Sequence, residues 1–115
     1  MELQAADFDE LVAEALDQIP AELAALMDNV VVLVEQAAPR DRPNLLGLYV
    51  GIPLTRRDSS YTFRAPDRIL IFREPLLQMC RTHEQLVDEV HITVVHEIAH
   101  HFGIDDDRLH ALGYG

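Results

Sequence analysis

Lysine and tryptophan are absent from this chain, and cysteine occurs once. A single Cys80 cannot form an internal bridge, so no disulfide framework is expected. Beside Met79 it reads as a small buried side chain rather than a thiolate for a metal. There is no run of about eighteen apolar residues and no basic-then-apolar leader, so neither a membrane span nor an export signal is expected, and a cytoplasmic location is. All nine cations are arginines, set against twenty acids, for a formal net charge of −11. Nucleic acids and anionic membranes select basic patches, so neither is an expected partner.

The charge is unevenly spread. Residues 1–39 hold nine acids and no base, residues 40–81 eight arginines against four acids, and residues 82–115 seven acids with Arg108. The arginine-rich middle is expected to pair with the chain's own acidic helices rather than with an acidic ligand. At 115 residues the chain is expected to form one domain over residues 1–115, too small for the two-lobed cleft of a large endopeptidase.

The segment His96-Glu97-Ile98-Ala99-His100, with Gly103 and Asp106 beyond it, asks for a chemical explanation. Residues four apart on a helix project from one face, so His96 and His100 can offer two imidazoles to one ion. Catalytic zinc takes three protein ligands and keeps one position for water, so a third donor is needed. Gly103 suits a left-handed helix stop that turns the chain back, and Asp106 is assigned as the third ligand. His110, four residues further on, is its rival. Glu97 is expected to act as general base rather than ligand, taking the proton of the metal-bound water as it attacks a peptide carbonyl. His101 lies about 100° round the helix from His100 and is expected to be structural, as is His91. Asp105 or Asp107 is a candidate partner for the second nitrogen of a liganding histidine. Tyr49, Tyr61 and Tyr114 are expected to be core residues with wet tips.

Around this motif the apolar spacing predicts an amphipathic helix from Asp7 to Gln18, and a short helical stretch from Pro20 to about Met27. Val30 to Val34 reads as a strand covered on both faces, and Leu46 to Val50 as a second strand. A polar loop through residues 57–60 leads to a third strand, Asp67 to Arg73, and Pro75 opens a short helix. Thr82 with Gln85 is a capping-box pair, so a long helix is expected from His83 to Phe102. On it Leu86, Val90, Val94, Ile98 and Phe102 are expected to pack on the sheet, with Thr93, His96, Glu97 and His100 facing the cleft. Either Leu46 to Val50 or Asp67 to Arg73 could be the edge that aligns a substrate strand. These elements make a single α+β unit.

The run Gly47-Leu48-Tyr49-Val50-Gly51-Ile52-Pro53-Leu54-Thr55, then Pro66-Asp67-Arg68-Ile69-Leu70-Ile71-Phe72-Arg73, then His96 to Ile104, resembles a family of small bacterial zincin-like metallopeptidases. The likeness extends from about Phe8 onward. It implies a minimal zincin-like fold with about three strands in a mixed sheet, a Zn2+ site from His96, His100 and Asp106, and Glu97 as catalyst. It implies no particular substrate beyond a peptide or protein. Larger zincins with this glycine turn follow it with a methionine-containing turn under the metal, whereas Met1, Met27 and Met79 all precede the motif here. That departure keeps a second expectation open, a zincin scaffold that binds a partner without hydrolysis.

Overall fold

The computed structural model describes residues 1–51 and 65–114. The loop expected at residues 57–60, and Tyr61, lie outside them. Helix α1 runs Ala5–Asp17, α2 Ala21–Ala24 with a 3-10 turn Ala25–Met27, β1 Val30–Glu35, β2 Gly47–Val50 and β3 Asp67–Phe72. Then come α3 Arg73–Met79, α4 His83–Phe102 and α5 Asp106–Ala111. The architecture is α+β, as the sequence implies.

The sheet order is β1-β3-β2, with β1 parallel and β2 antiparallel to β3. Among the described residues β3 is therefore central and, of the two candidate edges, the Leu46 to Val50 segment is the one at the edge. Ile69 and Ile71 of β3 are fully buried and share a face with Val32 and Val34 of β1, which pack on the same core. Helices cover this face, since alternate residues of a strand point to one side. The expectation that β1 is covered on both faces is corrected: burial alternates along it, and Val31 and Leu33 are exposed. An all-apolar run gives no alternation from which to read an open face.

Helix α1 starts earlier than expected, with Gln4 rather than Asp7 as N-cap; Asp7 sits in the first turn, where its charge suits the helix dipole. Phe8, Leu11, Val12 and Ala15 form its buried stripe, packed against α4. Helix α4 has the predicted bounds. Thr82 Oγ1 accepts from the Gln85 N–H at 3.1 Å, while the Gln85 side chain reaches one residue further back than a capping box would, to the Arg81 N–H. At the other end Gly103 takes φ 69° and ψ 30°, and the Ile104 N–H returns to the Ala99 carbonyl. This is the left-handed stop that glycine permits.

Two residues of α4 depart from expectation. Thr93 is buried rather than facing a cleft, and Phe102 is 41% exposed rather than packed on the sheet. Both follow from how the helix lies on β2. A Cβ at Gly47 would stand 2.5 Å from Thr93 Cγ2 and 3.1 Å from the Leu70 carbonyl oxygen, so strand and helix touch without an intervening side chain. Of the arginine-rich middle, Arg56, Arg57 and Arg64 lie outside the described residues, and Arg73 donates to the Leu3 carbonyl and to Gln36. Among the described residues the arginine–carboxylate contact is Arg108 with Glu22.

Gly47→Ala is expected to cost about 1–3 kcal/mol in urea unfolding through overpacking. In a Thr93→Ser background, where the obstructing methyl is gone, the cost should fall; equal cost in both backgrounds would show that this contact does not set the spacing.

Candidate metal centre

Strand β2 and helix α4 keep step with each other. Thr93, Glu97 and His101 recur every four residues, about 6 Å along a helix, and Gly47, Tyr49 and Gly51 every two, about 6.7 Å along a strand. The repeats match closely enough for three successive contacts: Gly47 on Thr93, the Tyr49 N–H on Glu97 Oε1 at 2.9 Å, and Gly51 beside His101. The Phe72 N–H donates to the Leu46 carbonyl, so the alternation of an antiparallel ladder turns the N–H of Tyr49 away from β3. Glu97 meets the edge of the sheet there. It is half-buried, and its Oε2 has no hydrogen-bond partner among the described residues.

The Tyr49 side chain secures the same contact. Its ring stacks on His101 with centroids 3.8 Å apart and planes 14° from parallel, and its hydroxyl donates to Asp67 Oδ2 at 2.7 Å. Phe102 meets both rings edge-on, which accounts for its place at the rim rather than in the core. His101 is structural, as expected. Asp67 is buried and stands 3.9 Å from His101 Nε2. Neither Asp67 nor the backbone of Tyr49 is among the candidates that the sequence suggests, although a pair of glycines in a strand is a usual sign of close approach by another element.

His96 and His100 are both exposed, on successive turns of α4. A hollow of about 440 Å3 beside His96 is bounded by Asp106, Asp107, Leu109, His110 and Tyr114. The turn at Gly103 thus brings both candidate third ligands, Asp106 and His110, opposite His96. Asp106 is the first residue of α5, with Asp105 as its N-cap, accepting from the Arg108 N–H at 2.8 Å. Asp105 thus uses Oδ1 to cap the helix. His100 does not line this hollow, and among the described residues no three histidine, cysteine or acidic side chains converge as a closed ligand set. The donor chemistry nevertheless suits zinc, with two imidazoles one turn apart and a carboxylate and a third imidazole across the hollow. All four side chains are exposed, so none gives up core packing to bind an ion.

A family model described as zincin-like metallopeptidase matches residues 27–115. The chain belongs to that family. Zinc binding and peptidase chemistry are the properties the family description carries, and the exposed His96 and His100 lie within the matched span. The fold is also similar to that of a conserved hypothetical protein from Thermus thermophilus, 21% identical, with a TM-score of 0.57 over 87% of this chain and 94% of that one. At that identity the likeness speaks for the fold alone. No curated protein matches.

The remaining groups lie off this centre. Cys80 is in the core, and burial, followed by the nearby Glu89 carboxylate, pushes its thiol above the ordinary range. His91 is hydrogen-bonded, as expected: Nδ1 donates to the Ala15 carbonyl at 3.2 Å, and Nε2 is hydrogen-bonded to the Tyr114 hydroxyl. His83 faces Glu14 at 3.1 Å on the surface. Among the described residues no helix is long and apolar enough to cross a membrane.

Tyr49→Phe keeps the ring on His101 but removes the bond to Asp67, and is expected to cost about 1–2 kcal/mol of unfolding free energy. A thermal melt indistinguishable from the parent would show that the hydroxyl does not hold the strand.

Proposed function

We propose that this chain is a zinc-dependent peptidase in which Glu97 is the general base and His96, His100 and Asp106 hold the metal. The observation that carries the reading is the posture of Glu97. It follows His96 directly in sequence, one oxygen is held by the Tyr49 N–H, and the other is uncommitted among the described residues. A carboxylate held at one oxygen keeps its rotamer while the second exchanges a proton.

Zinc, when bound, supplies the Lewis acid that polarises the scissile carbonyl and acidifies the attacking water. Glu97 accepts the water's proton on its open oxygen and passes it to the leaving amine nitrogen, so the base of the first step is the acid of the second. Tyr49 keeps the carboxylate beside the edge of β2. A peptide laid beside β2, whose Tyr49 N–H is already given to Glu97, would pass next to that carboxylate; β3, paired on both sides, has no edge for this. A basic surface for nucleic acid is no part of the proposal, in keeping with the net charge of −11.

The second reading, a scaffold that binds a partner without cleaving it, draws support from the open arrangement of the donors. Mutants separate the two. Glu97→Gln should retain zinc, measured by mass spectrometry of the metal, and lose about 10²- to 10⁴-fold in kcat/KM on a peptide library. His96→Ala and His100→Ala should lose the metal itself. Zinc lost in Asp106→Ala but kept in His110→Ala assigns the third ligand to Asp106, and the reverse assigns it to His110. Undiminished hydrolysis by Glu97→Gln would remove the mechanism, and no Glu97-dependent cleavage in the parent would favour the scaffold.

A further inference from the structure

A second hollow, of about 310 Å3, opens on the other side of His96 and is lined by Asp88, His91, Ile92, His96, Gly113 and Tyr114. One wall is a single stripe of α4. Ile92 lies one turn before His96 and Asp88 two turns before it, about 6 and 12 Å along the axis. The other wall is built by the end of α5. Gly113 takes φ 96°, its N–H returns to the His110 carbonyl and the Tyr114 N–H to the Leu109 carbonyl, a paired glycine stop that aims Tyr114 back at α4. There its hydroxyl bonds His91, and burial pushes the phenol above its ordinary range.

The chemistry of the lining is one-sided. Both nitrogens of His91 are engaged, the Tyr114 hydroxyl is bonded to His91, and the two rings stack on each other with centroids 5.4 Å apart, so neither offers an open hydrogen-bonding atom. Ile92 is a large apolar side chain left 36% exposed. Among the described residues Asp88 is the one carboxylate of the lining, two helical turns from His96, and no arginine takes part. Such a pocket suits a side chain with an apolar stem and a cationic head. An aliphatic residue would end at Ile92, leaving Asp88 unanswered, and an acidic one would meet like charge.

We propose that this hollow is the subsite for a basic side chain of a peptide seated at the candidate metal centre, with Asp88 receiving its charge. The peptide's fate rests on the peptidase reading; the pocket's selectivity does not. The chain's net charge of −11 favours approach of a basic ligand.

Binding without turnover tests it. The full chain bearing Glu97→Gln is labelled with 15N and at isoleucine methyls. It is titrated with N-acetylated, C-amidated Ala-Ala-Xaa-Ala-Ala, where Xaa is arginine, norleucine or glutamate, with and without zinc. The arginine peptide should shift the resonances of Ile92, Gly113 and Tyr114 and bind about two- to fivefold more tightly than the norleucine peptide, the range of an exposed ion pair. The advantage should shrink in high salt. It should vanish in Asp88→Asn, and Asp88→Arg should favour the glutamate peptide. Equal affinity for arginine and norleucine, or an arginine preference that survives Asp88→Asn, overturns the subsite. Preference without any cleavage by the zinc-loaded parent keeps the subsite and removes the peptidase. Cleavage indifferent to charge does the reverse.

Discussion

The structure depends on a coincidence of repeats between a helix and a strand. Four residues of α4 advance nearly as far as two of β2, so the helix can follow the sheet edge through three contacts without losing register. Gly47 supplies the closeness, Tyr49 the hydrogen bond and the stacked ring, and Gly51 room for His101. A side chain at Gly47 would push the helix off the strand, and Glu97 would then lose the main-chain donor that holds it.

From that seam the site divides into a fixed half and an open half. Glu97, Thr93 and His101 are held between α4 and the strand, whereas His96, His100, Asp106 and His110 are exposed on the far side. Two glycine stops organise the open half. Gly103 ends α4 and turns the chain into α5, and Gly113 ends α5 and returns Tyr114 to α4. Leu109, buried at 7%, is the core anchor of this short helix. The proposed base thus sits against the strand while the candidate ligands lie exposed. Preorganisation matters most for the group that moves the proton.

What can be read from the sequence is what local chemistry writes. Thr82 with Gln85 and the left-handed Gly103 bound α4 to the residue, because caps are properties of neighbouring residues. The motif histidines on one helix and the α+β class are legible for similar reasons. Long-range pairings are not. The Tyr49–Asp67 bond joins residues 18 apart, and nothing in either neighbourhood specifies it. Periodicity identifies the apolar stripe of α4 but not which neighbour meets it, so it assigns Thr93 and Phe102 each other's surroundings. It also overstates the burial of β1, because a continuous apolar run looks alike with one open face or none, and no charged residue interrupts the strand to mark its open side.

The most direct measurement is a crystal structure grown with zinc at neutral pH, with an anomalous difference map at the zinc edge. One strong peak is expected, bounded by the imidazoles of His96 and His100 and a donor from α5, with Glu97 outside the coordination sphere and still bonded to the Tyr49 N–H. No peak there, or Glu97 swung from the strand to ligate the ion, would contradict the proposed centre.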